Sequence, residues 1–263
     1  MHIKNSNYKN EHFLNGSKTD AIIFGSKSFL EKISLSGTIL HTGEVIKFKN
    51  SIKHLGFLLG KSLDFISQIN LVVSSCYCTL RKIGSIRKFL SVTQCEQLVH
   101  SMICSRLDYC NSLYFGLPKA LLLKLQRLQN AALRMVVRIR KKAPVSSYFH
   151  RFHWLTIRQR ILFKVLLIVY KCLNSMAPNP ICNLIQKKGY SSPDCFSLKI
   201  TCFVTSQLGK RSFSFYAPRI WNALPFSIRS ITSIDTFKTS LKSFFMTEFE
   251  NYKQSVNSVV TII

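Results

Sequence analysis

Lys119-Ala-Leu-Leu-Leu-Lys-Leu-Gln-Arg-Leu-Gln-Asn-Ala-Ala-Leu-Arg-Met-Val-Val-Arg138 is the stretch on which the fold turns. Leu122, Leu125, Leu128, Ala132, Leu133 and Val136 recur at three- and four-residue spacing, the signature of an amphipathic α-helix. Its other face carries Lys124, Arg127, Arg134 and Arg138. Gly116-Leu-Pro118 stops the segment before it, and Pro144 breaks the chain after it. Upstream, the pattern is helical from Leu63 onward. Ser91 with Gln94 fits a capping box, which satisfies two orphan N–H groups at a helix start. Leu98, Met102, Leu107 and Leu113 are then expected on one face. Downstream, a third helix is expected from about Ile157 to Asn174, ending before Pro178 and Pro180.

The two ends read differently. Up to about residue 60 the apolar runs are short and punctuated by glycine: Ala21-Ile-Ile-Phe24, Glu44-Val-Ile-Lys-Phe48 and Ser51 to Leu59. They predict a small antiparallel sheet or hairpin. Residues 187–212, with Gly189, Ser191, Ser192 and Pro193, read as a loop. A last compact unit gathers Phe213, Phe215, Tyr216, Trp221, Leu224 and Phe226, followed by a short helix near Ile234–Phe249. The fold class is therefore α+β: a small β-hairpin region over 1–60, a helical region over 61–143, and a helical extension over 144–263.

Charge narrows the function. Lys and Arg number 37 against 11 Asp and Glu, a formal net charge of +26. Such a field suits a polyanion, because each phosphate neutralised releases condensed counterions. Between Asp108 and Asp194 there is no acidic residue, while fifteen Lys and Arg fall in that interval. Solvated faces ordinarily mix signs. The chain is not a disordered basic tail either, since 47% of it is hydrophobic, with 20 Phe and 9 Tyr. Its nine cysteines are scattered and odd in number, and Met1 to Asn10 lacks the apolar core of a signal peptide. Free thiols in a reducing, intracellular compartment are expected, with no choice between cytoplasm and nucleus. The run Val165-Leu-Leu-Ile-Val-Tyr170 is far short of the ~20 residues that span a bilayer, so no membrane partner is expected.

No catalytic constellation stands out. Nucleotidyl transfer needs paired carboxylates around two metal ions. Asp20, Asp64, Asp108, Asp194 and Asp235 are each isolated, and no aromatic-x-Asp-Asp occurs. The P-loop and dinucleotide fingerprints are absent, as is G-x-S-x-G. His150-x-x-His153 and Cys76-x-Cys78 lack the second ligand pair that zinc needs, so neither metal nor cofactor nor small-molecule substrate is expected. For nucleic-acid contact the expected residues are Lys124, Arg127, Arg134, Arg138, Arg140, Lys141 and Lys142. Arg138-Ile-Arg-Lys-Lys142 also suits a helix C-terminus, but one cation would serve that purpose. Trp154 and Trp221 sit in apolar contexts and read as core anchors.

Four segments, in order, carry a resemblance: Ser105-Arg-Leu-Asp-Tyr-Cys-Asn-Ser-Leu-Tyr-Phe-Gly-Leu-Pro118, Leu125-Gln-Arg-Leu-Gln-Asn-Ala-Ala132, His153-Trp-Leu-Thr-Ile-Arg158 and Tyr216-Ala-Pro-Arg-Ile-Trp-Asn-Ala-Leu-Pro225. They resemble non-LTR (LINE-type, jockey- and chicken-repeat-like) retrotransposon reverse transcriptases over about residues 11–250. The resemblance implies the end of the palm, the thumb and a C-terminal extension. Lys18, within Leu14-Asn-Gly-Ser-Lys-Thr-Asp20, matches a lysine of the motif that follows the family's catalytic centre. Leu55 and Gly56, within Ile52-Lys-His-Leu-Gly-Phe57, match its primer-grip hairpin. Thr156 stands where the family pattern has Pro.

The resemblance further implies that the catalytic aspartates, and the Mg²⁺ they hold in an intact member, lie upstream of Met1. A chain of this kind would be an RNA-directed DNA polymerase by descent and inactive alone. Its helices from 63 to 174 would line a template–primer groove and meet the backbone of RNA or an RNA–DNA hybrid by shape and phosphate. The competing expectation is a domesticated, non-enzymatic nucleic-acid-binding or protein-interaction helical module. The sequence leaves the oligomeric state open.

Overall fold

The computed structural model describes residues 19–32, 38–41, 44–188, 196–200 and 207–249. Lys18 lies outside them. The chain forms two compact units, Met1–Gln68 and Ile69–Ile263, and its class is α+β.

In the first unit, Ser26 starts helix α1 (Lys27–Lys32) by accepting from Phe29 N at 3.2 Å. Strands β1 (Thr38–His41) and β2 (Glu44–Lys47) pair antiparallel, with Ile39 opposite Ile46. Strands β3 (Ser51–His54) and β4 (Phe57–Gly60) form a second hairpin, with His54 opposite Phe57. The run 51–59 is thus two strands, because its middle turns. Leu55 and Gly56 have φ of +47° and +82°, the paired positive values of a two-residue hairpin turn. Glycine adopts them freely, whereas Leu55 is strained. The expected strand Ala21–Phe24 contributes only one isolated bridge, Ala21 to Phe48. Phe57 and Phe65 pack edge to face at 5.5 Å and make much of this small core with Leu30 and Ile46.

The second unit is helical. The boundary falls in the first turn of α2 (Ile66–Ile86), which passes through a 3₁₀ turn, Arg87–Phe89. Helix α3 (Val92–Val99) then opens on the expected capping box. Ser91 Oγ accepts from Gln94 N at 3.2 Å, and Gln94 Oε1 accepts from Ser91 N at 2.9 Å. A π-helical turn, His100–Cys104, leads into α4 (Ser105–Asp108). The buried face is Cys95, Val99, Ile103, Cys104 and Leu107, whereas Met102 and Leu113, expected inside, are exposed.

Helix α5 (Lys119–Val137) buries Leu121, Leu125, Leu128, Gln129, Ala132, Leu133 and Val136. The expected stripe is therefore right except at its start, where Leu121 replaces Leu122. Short α6 (Ser146–Arg151) precedes α7 (Ile157–Leu173), whose buried Ile161, Val165, Leu166 and Val169 form the centre of the unit. Helix α8 (Asn179–Cys182) follows, then α9 (Gln207–Lys210), α10 (Phe213–Asn222), α11 (Phe226–Arg229) and α12 (Ile234–Thr247). Tyr170 stacks on Phe237 at 4.3 Å, and Phe115 on Tyr216 at 3.9 Å. Of the expected loop 187–212, the described part includes α9 and one bridge, Lys187 to Leu198.

Residues on both sides of 143/144 belong to the second compact unit, Ile69–Ile263. Gln129 Nε2 donates to Leu155 O at 2.8 Å, and Ile157 N donates to Gln126 Oε1 at 2.9 Å. Arg160 pairs with Asp108 at 2.7 Å, and Gln159 Nε2 reaches Phe245 O at 2.7 Å. Helices on both sides of Pro144 thus share one core and one polar network.

Candidate nucleic-acid interface

Helix α5 presents its cations in sequence order along one side. Lys124 and Arg127 are exposed, Arg134 is half-buried, and Arg138 sits at the C-terminal cap. At 1.5 Å per residue, Lys124 lies roughly 21 Å from Arg138 along the axis. Helix α2 runs beside α5 in the same direction. Lys124 Nζ donates to Asn70 Oδ1 at 3.0 Å, and at the far ends Arg87 reaches Met135 and Val136.

The C-terminal end of α5 is the densest part of the surface. A helix leaves its last carbonyls without intrahelical donors. Here buried Arg87 supplies them: Nε donates to Met135 O at 2.8 Å and Nη2 to Val136 O at 2.7 Å. Its Nη1 donates to Leu90 O at 2.7 Å. Arg138 takes the left-handed conformation, φ +55°, which costs a non-glycine residue about 1–2 kcal/mol. Its Nη2 contacts Arg87 O at 2.9 Å, Leu90 O at 3.2 Å and Lys88 O at 3.4 Å, and these offset the strain. Arg134 Nε donates to Ala143 O at 3.0 Å, which folds the 138–143 turn back on the helix. Arg134 and Arg138 thus tie the backbone together as well as carrying charge.

Arg127, Arg140, Lys141 and Lys142 are exposed, and their side chains make no hydrogen bond or ion pair among the described residues. None of the seven expected cations has a carboxylate partner there. Leu55 and Gly56 belong to the hairpin turn of the first unit. Sequence reasoning missed Arg87, Lys88 and Phe89. Arg87 is buried, while Lys88 and Phe89 are exposed, with Phe89 at 75%. The available signal was three residues, Arg-Lys-Phe, wedged between a helix and the Ser91 cap.

The segments that carry the resemblance hold the fold together. Asp108 takes Arg160 and also accepts from Asn111 Nδ2 at 3.2 Å. Trp154 is buried, with Nε1 donating to Glu96 at 3.1 Å, and buried Trp221 donates to Phe196 O at 2.8 Å. Thr156 Oγ1 and Gln159 form a second capping box at the start of α7. Proline at 156 could not make it, having no N–H to donate to Gln159 Oε1.

Buried thiols are poor nucleophiles here. Burial pushes Cys104 up to about 11, and burial beside Cys182 pushes Cys172 up to about 12. His150 lines a cavity of about 550 Å³ with Asn130, Trp154, Gln159 and Glu248. Among the described residues, no three His, Cys, Asp or Glu side chains gather as a metal site. No helix there is long and apolar enough to cross a membrane. Comparison of the chain with protein-family models, characterised proteins and solved structures finds no match.

Proposed function

We propose that this chain binds nucleic acid through its phosphates and performs no chemistry on it. The resemblance to non-LTR retrotransposon reverse transcriptases supports reading it as the end of the palm, the thumb and a C-terminal extension, and no aromatic-x-Asp-Asp occurs in it. One observation carries the proposal. Arg127, Arg140, Lys141 and Lys142 are exposed and lack carboxylate partners among the described residues, in a chain of formal charge +26. Surface cations normally find acidic neighbours, and those that do not are available to phosphate.

The test is salt dependence. Affinity for single-stranded RNA is expected to fall linearly in log K against log salt. Converting Arg140, Lys141 and Lys142 to Glu should make that slope shallower by about 2 units, since each phosphate contact contributes roughly 0.7 on a single strand. An unchanged slope overturns the assignment of these residues. Primer extension on RNA or DNA templates with Mg²⁺ or Mn²⁺ is expected to give no product. Incorporation by the purified chain would overturn the non-catalytic half of the proposal.

A further inference from the structure

The same surface carries an aromatic ring in an unusual place. Phe89 is 75% exposed, more than any other exposed phenylalanine among the described residues. It ends the 3₁₀ turn Arg87–Phe89. Two arginines tie that turn down, and both donate to Leu90 O. Arg87 fixes it to the last carbonyls of α5 and to Leu90 O, and Arg138 grips the carbonyls of Arg87, Lys88 and Leu90. The ring is thus presented by a pinned backbone. Lys88 Nζ stands 4.8 Å from its centroid, and Ile86 and Val92, each three residues away in the chain, are also exposed. Arg140, Lys141 and Lys142 follow Arg138 in the chain after Ile139.

A solvent-facing ring on a pinned backbone, beside cations without carboxylate partners, is what an unpaired base and its flanking phosphates require. Cations follow the backbone, and the ring stacks on whichever base is presented. A continuous duplex keeps its bases stacked on one another and offers the ring nothing. We propose that Phe89 is a base-stacking platform, and that this surface takes nucleic acid with an unpaired base at that point: a single strand or a strand end. This deepens the phosphate-binding reading and rests on it.

The experiment measures fluorescence anisotropy with the full chain and three probes: an oligothymidylate, an abasic strand of equal length and a blunt duplex. The wild type is expected to bind the thymidylate more tightly than the abasic strand. Phe89→Ala should weaken thymidylate binding about five- to hundredfold. It should leave abasic-strand binding and the salt slope unchanged, and Phe89→Trp should restore the preference. The side chain is exposed, so circular dichroism of Phe89→Ala should match the wild type.

Equal wild-type affinity for thymidylate and abasic strand overturns the stacking role and leaves phosphate binding standing. So does a Phe89→Ala variant that binds thymidylate as tightly as the wild type, which would assign the ring to a protein contact instead. Failure to bind any of the three probes at low salt overturns the phosphate reading and this inference together.

Discussion

Cys104 is 1% exposed, at the end of the π-helical turn. Burial is the main cause of its raised pKa; Arg160 nearby opposes the rise and Asp108 adds to it. Its folded value, about 11, exceeds the ordinary 9.0. The stabilisation is therefore complete below pH 9 and is lost as pH climbs toward 11, because the unfolded thiol releases its proton first. A gap of about two units limits this residue's share to roughly 3 kcal/mol. Burial raises Cys76 and Cys95 in the same direction. Cys104→Ala is expected to melt lower at neutral pH, because of the cavity. Its melting temperature should nonetheless fall less steeply than the wild type's between pH 9 and 11. Parallel slopes would refute the assignment. At this scale some residues were legible in the sequence. The Ser91–Gln94 box was visible because capping is local. The Thr156–Gln159 box has the same spacing but read only as a departure from a family pattern. Burial of Cys104 was invisible, since nothing in a thiol's sequence neighbourhood reports what packs on it.

Arg87 sets the end of one element against the start of another. It is 8% exposed, and its three donors meet Met135 O, Val136 O and Leu90 O. A hydrogen bond from a charged group contributes about 1.5–3 kcal/mol, and a buried carbonyl left bare costs about 1–3. Arg87→Met should therefore cost about 3 kcal/mol of stability, read from urea unfolding, with an unchanged m-value. Arg87→Lys keeps the charge but not the planar fork, and should recover less than half of that loss. Loss below about 1 kcal/mol in Arg87→Met would show that other donors cap α5. Elements were readable where periodicity ran unbroken, as in α5 and α7. The exposure of Met102 and Leu113 shows the limit. Met102 lies inside the π-turn, which leaves no mark in composition, and Leu113 lies in a separate 3₁₀ turn, Asn111–Tyr114, beyond the left-handed Cys110, where the helical spacing no longer applies. The hairpin expected within 51–59 is present, turning at Leu55-Gly56, although that pair is a weaker turn signal than Asn-Gly.

Across the whole molecule, cations outnumber acids by 26. Among the described residues the ion pairs are Lys49–Asp20, Arg160–Asp108 and Lys238–Asp235. Only the Arg160 pair is substantially shielded from water, with the arginine side chain 10% exposed. Exposed pairs contribute little, so attraction does not cancel the repulsion among the remaining cations. The excess charge was legible in composition alone. Its placement on the α2–α5 surface was not, because it depends on which helices lie side by side. Self-repulsion makes the fold sensitive to screening in a direction opposite to its binding. Raising chloride from about 0.05 to about 0.5 M shortens the Debye length from roughly 14 to 4 Å, within the spacing of neighbouring surface charges. Relief of about 1–2 kcal/mol corresponds to a rise in Tm of roughly 2–8 °C for a chain of this size. Chloride is the appropriate salt, since sulfate also strengthens apolar burial. The Arg140, Lys141 and Lys142 triple Glu variant, six charges lower, should start higher and gain less. A wild-type Tm that stays flat or falls with chloride would mean the cations are not repelling one another, and the availability of this surface to phosphate would lose its electrostatic basis.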